Sequence, residues 1–145
     1  MIVGLDTSFL VELLRKQAPR HVATRECYEA HHQAGTEFVV AEHALLEGFA
    51  VLSRSPEPAG VPPHQAQRIL QHAFRGFAIA PVRKGLAWEA IQATLSGGAW
   101  GGRVYDAIIA LSCYEAGARL ILTWNVRHFR TVAPPDMEVS EPYVP

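Results

Sequence analysis

The sequence predicts an α/β protein, with a largely parallel sheet of four to five short strands packed against helices. Three observations predict it. The chain has 145 residues, one domain's worth, so residues 1–145 are expected to fold as a single unit with a core of its own. Hydrophobic residues make up 49% and charged residues 19%, which excludes a disordered or acidic solvating segment. Short apolar runs alternate with longer stretches of helical spacing, the pattern of parallel strands joined by helical crossovers.

Residues 1–5 form an apolar run closed by Asp6-Thr7-Ser8, a buried strand followed by helix-starting residues. Residues 9–15 are then helical. Residues 20–34 carry Ala23, Cys27 and Ala30 at i, i+4 and i+7, a second helix that Gly35 stops. Residues 38–41 are the second strand, and helical spacing resumes over 43–54. Residues 55–63 hold four prolines and a glycine, so they read as a loop. Residues 64–74 place Ala66, Ile69, Leu70 and Ala73 on one helical face, with Pro63 just inside the start. The third strand is expected over 77–82. A helix over 84–95 has Trp88, Ile91 and Leu95 on one face. Residues 97–102 are a glycine-rich connector. Residues 103–116 are apolar on nearly every side, a buried helix that Gly117 can cap. Residues 119–124 are the fourth strand, and 137–140 the fifth, at an edge.

Cys27 and Cys113 are too few and too far apart for a disulfide framework, so free thiols in a reducing cytoplasm are expected. Residues 1–10 show no basic leader. No apolar run approaches the roughly 18 residues of a membrane helix. The net charge is −1, without the overall basic footprint that announces many nucleic-acid binders.

In a parallel sheet, ligands bind beyond the carboxyl ends of the strands, at a topological switch point. Asp6 ends the first strand and Asn125 follows the fourth, while Asp106 sits in the first turn of the most apolar helix. Glu42 and Glu47 lie near the second strand and its helix. Converging buried carboxylates need a cation or protons, and hard oxygen ligands suit Mg²⁺ or Mn²⁺. Such an ion in a strand-end cleft would support phosphodiester hydrolysis. Simpler roles stand beside these. Asp6 could cap the helix starting near Thr7, and Asp106 could be an anion favoured by a helix N-terminus. At 100° per residue, Leu45, Leu46, Phe49 and Leu52 define the apolar face of the third helix, and Glu42 falls near its centre. Periodicity thus prefers Glu42, not Glu47, as the buried acid.

Four segments, LDTSFL at 5–10, HALLEGFAVLSR at 43–54, GGRVYDAIIAL at 101–111 and LILTWNVRHF at 120–129, resemble in order and spacing the motifs of PIN domains. The likeness is closest to the VapC toxins of bacterial toxin–antitoxin pairs and covers nearly the whole chain. The resemblance implies a three-layer α/β/α sandwich and a Mg²⁺- or Mn²⁺-dependent endoribonuclease. It matches Asp6 to the first acid of the family, Glu47 to the second through the pattern His43, Glu47, Leu52, Ser53, Arg54, and Asp106 to the third. These three would hold the metal, which overrides the periodicity preference for Glu42. Asn125 stands where many members have a fourth Asp. It keeps an oxygen ligand and loses a charge, so its expected role is to orient a water or hydroxyl. Thr7, Ser8 and Thr123 lie beside the acids and either hydrogen-bond them or satisfy caps and strand ends.

RNA requires positive charge near its phosphates. The 13 basic residues include 11 Arg, whose fork fits phosphate oxygens. Arg54, Arg103, Arg127 and Arg130 lie in or just past the motifs, and Trp100 and Trp124 could stack on unpaired bases. The resemblance further implies a small antitoxin covering the acidic cleft, and a homodimer. The apolar stretch Phe9-Leu10-Val11 with Leu13-Leu14 offers either a sticky face or core. The rival reading is a PIN-like scaffold that binds RNA or protein without cutting. A third, an aspartyl phosphoryl-transfer domain, lacks the acid expected at position 8, the acid pair before Asp6 and the late Lys.

Overall fold

The computed structural model describes residues 1–54 and 61–145, so the part of the expected proline loop at 55–60 lies outside the described residues. Five strands form one parallel sheet in the order β3-β2-β1-β4-β5. β1 (Ile2–Leu5) is its centre, with Leu5 in register with Val40 of β2 (Glu37–Ala41) and with Leu122 of β4 (Leu120–Leu122). A strand paired on both sides and covered on both faces must be apolar throughout, which is why residues 2–5 show no alternation. β3 (Ala78–Ala80) and β5 (Glu138–Ser140) are the edges, and β3 is shorter than the six residues expected.

The strand order reverses at β1. Right-handed crossovers therefore place α1 (Thr7–Leu14), α2 (His21–Gln33), α3 (Glu42–Arg54) and α4 (Pro63–Ala73) on one face. They place α5 (Leu86–Ser96) and α6 (Arg103–Glu115) on the other. α6 packs on β1, β2 and β3, and α5 covers α6. The expected three-layer α/β/α sandwich is the observed one. Its core includes Val3, Leu5, Phe9, Leu10, Val40, Ile121, Leu122 and Phe129, all but inaccessible to solvent.

Packing settles one open choice and decides which helical faces are buried. Of the two readings of the first helix, Phe9 and Leu10 take the core one. Trp88, Ile91 and Leu95 are exposed, and the buried side of α5 consists of Leu86, Ala90 and Thr94. The small residues let α5 sit close on α6, which turns the larger apolar ones outward. In α3 the buried residues are Ala44, Gly48 and Leu52, while Leu46 and Phe49 are exposed. The apolar face drawn from the sequence was therefore rotated, and Glu42 is exposed rather than buried.

One element was not anticipated. α7 (Val126–Phe129) is a single turn, too short for periodicity to show, anchored by the buried Phe129.

Candidate active site

The switch point of the sheet lies between the carboxyl ends of β1 and β4, and Asp6 stands there. Its backbone N–H donates to Leu122 O across the two strands (3.2 Å). Asp6 is also the N-cap of α1. Oδ1 accepts from Thr7 N (2.6 Å). Oδ2 accepts from Ser8 N (3.1 Å), Ser8 Oγ (2.6 Å) and Thr123 Oγ1 (2.8 Å). The carboxylate that caps α1 thus also lines the cleft at the strand ends. Both hydroxyls are themselves held from behind, since Trp124 N donates to Ser8 Oγ and Asn125 N to Thr123 Oγ1. The backbone following β4 therefore reaches Asp6 through two hydroxyl relays. Burial pushes the Asp6 carboxyl above its usual range, and the bonds from Ser8, Thr123 and Thr7 oppose that rise.

Glu47 comes from the middle of α3. Its Oε2 accepts from Thr7 Oγ1 (2.8 Å), and Oε1 lies 3.7 Å from His43 Nε2, one helical turn back. Partial burial raises its pKa, but the His43 and Thr7 contacts outweigh it and hold the carboxyl low. His43 is fixed in turn by stacking on Tyr105 of α6, with ring centroids 5.1 Å apart.

Asp106 sits in the first turn of α6. Its carboxyl makes no hydrogen bond among the described residues, and His128 Nδ1 lies 3.7 Å away, on an imidazole whose pKa is lowered by burial and by Arg103 and Arg127. Its carboxyl is pushed up to about 7, first by burial, then by the negative charges of Asp6 and Glu47; Arg103 opposes this. Asp6 and Glu47, dozens of residues from Asp106 in sequence, are thus close enough in space to hinder its ionisation.

These acids line a cleft of about 590 Å³, ample for a nucleotide unit. Glu12, Arg20, Arg54, Trp124 and Asn125 also line it. The Asn125 side chain makes no capping bond to α7 and is left to the cleft. Of the four arginines expected beside the motifs, Arg54 is in this cleft, whereas Arg103, Arg127 and Arg130 line a neighbouring pocket with Trp100. Sequence reasoning missed Arg20, whose guanidinium lies 4.7 Å over the Trp124 ring. Trp124 also donates through Nε1 to Thr24 Oγ1 (3.0 Å). These partners come from the turn before α2 and from α2 itself, at least one hundred residues away, and no local signal joins them. One face of Trp124 is thereby taken. The His43–Glu47 contact was findable, since an i, i+4 pair shares a helix face.

The donor set is hard oxygen, and the mutual repulsion recorded in Asp106 is what a divalent cation would relieve. Among the described residues, however, no three acidic, His or Cys side chains converge into a ready-made metal cage. Mg²⁺ does not require one: it commonly keeps several waters and takes one or two carboxylates, with substrate phosphates completing the shell. The residues fit such an open site.

Fold and cleft together define the class: a doubly wound α/β domain whose cleft, at the carboxyl ends of its central strands, is lined by acids from β1, α3 and α6. The chain belongs to the PIN-domain family, whose profile matches residues 3–133. It is 32% identical over 120 residues to Ribonuclease VapC27 of Mycobacterium tuberculosis, an alignment covering 81% of each chain. Two solved structures share the fold. VapBC2 from Rickettsia felis, bound to a DNA fragment from its promoter, has a TM-score of 0.68 at 18% identity over 97% of this chain and 98% of that one. VapC20 of Mycobacterium tuberculosis, a toxin that cleaves the sarcin–ricin loop, has a TM-score of 0.63 at 17% identity over 82% and 86%.

Proposed function

We propose that this chain is a Mg²⁺- or Mn²⁺-dependent endoribonuclease and the toxin of a VapBC-type toxin–antitoxin pair. The observation that carries the reading is the meeting of Asp6, Glu47 and Asp106 in one cleft at the switch point. The ribonuclease relative supports the substrate class. When bound, the divalent ion supplies an activated water and neutralises charge on the scissile phosphate. The protein's own residues do the rest. Asp6, locked by four hydrogen bonds, presents a carboxylate that cannot swing. Thr7 ties Glu47 to the same corner. Asp106, without a hydrogen bond of its own, is the acid freest to take up a cation. Asn125 orients a water or a hydroxyl, and Arg54 grips a phosphate.

The partner is a small antitoxin, and the chain pairs with a second copy of itself. The apolar side chains left exposed on α3 and α5 are what a chain with partners requires. An RNA substrate and the two buried free cysteines, Cys27 and Cys113, fit action in the cytoplasm. Among the described residues no helix is long and apolar enough to cross a membrane.

The deciding experiment incubates purified protein with total RNA in Mg²⁺, in Mn²⁺ and in chelator, beside Asp6→Asn and Asp106→Asn. Cleavage by the wild-type chain in metal alone, and its loss in both variants, is expected. Cleavage undiminished by either variant removes the acids from the mechanism. RNA binding without cleavage in either metal establishes the scaffold reading.

A further inference from the structure

Several arginines of this chain are held in ion pairs, and others are not. Arg25 pairs with Glu29, Arg83 with Glu89 and Glu115, and Arg119 with Asp136. Arg103, Arg127 and Arg130 line one pocket, and among the described residues none of their side chains makes a hydrogen bond or salt bridge. Three guanidinium groups gathered in a pocket whose lining holds no acid repel one another, a cost that an anionic ligand removes; of the three, Arg103 also feels the Asp106 carboxyl of the neighbouring cleft. The same pocket carries Trp100, which is 82% exposed. So large an aromatic surface left in water, beside arginines with no ion-pair partner among the described residues, is the composition of a stacking platform with a phosphate clamp.

The pocket is built rather than incidental. Its floor joins the connector before α6 to the segment after α7, where Gly97 and Thr131 approach so closely that a Cβ on Gly97 would lie 1.7 Å from Thr131 O. It also adjoins the acid cleft. Arg103 opens α6 three residues before Asp106, and His128, next to Arg127, stands 3.7 Å from Asp106.

We propose that this pocket is a subsite for one unpaired nucleotide flanking the cleavage point, with Arg103, Arg127 and Arg130 on its phosphate and Trp100 on its base. The assignment rests on the ribonuclease reading and adds to it a place where a neighbouring nucleotide is held. A base inside an A-form duplex cannot lie against Trp100, so the strand here is single. Stacking tolerates any base, with strength favouring purines.

The test measures binding of a labelled single-stranded RNA oligonucleotide, and of the same sequence as duplex, in chelator across a salt series. Cleavage in Mg²⁺ is measured in parallel. Trp100→Ala is expected to weaken single-strand binding roughly tenfold and to leave duplex binding unchanged. Arg127→Gln and Arg130→Gln should each weaken it, and the two together should reduce the salt slope by up to about 0.7, the value of one single-strand phosphate contact. The substituted side chains are at the surface, so circular dichroism should match wild type. Unchanged single-strand affinity and salt slope in all three variants overturns the subsite, and the ribonuclease reading then stands or falls on wild-type cleavage alone. Arginine-dependent binding by a wild-type protein that never cleaves keeps the subsite and overturns the ribonuclease. Equal loss of duplex and single strand in Trp100→Ala overturns the unpaired-nucleotide assignment.

Discussion

Asp106 shows what a carboxyl costs when it is partly buried beside two other acids. Its pKa is raised from 3.8 to about 7 in the folded chain, so the folded state binds this proton more tightly than the unfolded state does. The resulting contribution favours folding below pH 3.8 and is lost as pH rises through about 7. Above that, metal-free protein carries a repelled, half-buried charge. Asp106→Asn should therefore raise the metal-free melting temperature at pH 8 by roughly 3 °C, the shift that about 1 kcal/mol gives at this chain length, and leave it nearly unchanged at pH 4. A variant no more stable at pH 8 would show that the charge is not repelled. Asp6→Asn should have the opposite sign. An amide cannot accept on both sides, so either Thr7 N–H or Ser8 N–H loses its acceptor, at about 1–3 kcal/mol. Calorimetry of both variants in chelator reads both signs. Glu47 was the least legible of the acids. Helical spacing favoured Glu42, and only the family likeness pointed to Glu47. The core takes the narrow stripe Ala44, Gly48 and Leu52 rather than the bulkiest residues, and that turns Glu47 toward Thr7.

At the scale of elements, every strand and helix but α7 was legible, because alternation of short apolar runs and helical spacing is local information. Which face of a helix is buried was not. Periodicity counts apolar residues, whereas packing selects those whose size fits the gap, and in α5 the gap suits Leu86, Ala90 and Thr94. One glycine has a clear task in this packing. Gly97 ends α5 against the carbonyl of Thr131. Gly97→Ala must separate two backbones, so it should cost about 1–3 kcal/mol, as overpacking does, and widen the seam beneath the arginine pocket. The urea midpoint and the affinity for single-stranded RNA should fall together. A midpoint equal to wild type would mean that the two segments are not pinned there.

For the whole molecule, the net charge of −1 averages two unlike pockets. One gathers Asp6, Glu12, Glu47 and Asp106 against Arg20 and Arg54; the other gathers Arg103, Arg127 and Arg130 with no acid. A ligand that binds only the folded chain stabilises it by mass action. Mn²⁺ should therefore raise the melting temperature at pH 8 in a concentration-dependent way, and the rise should shrink at pH 4, where Asp106 is protonated. No rise at any concentration would speak against a cation in the cleft. The order of elements, the parallel sheet and the positions of Asp6, Asp106 and Asn125 at strand and helix ends were written in local pattern. Their convergence was not. It follows from the reversal of strand order at β1, which sets β4 beside β1 and brings α6 against the same strand ends. The orientation of Glu47, the relays onto Asp6, the Arg20–Trp124 contact and the separation of Arg54 from Arg103 and Arg127 likewise depend on segments distant in sequence. Such contacts form only when the chain closes on its core, and no window of neighbouring residues contains them.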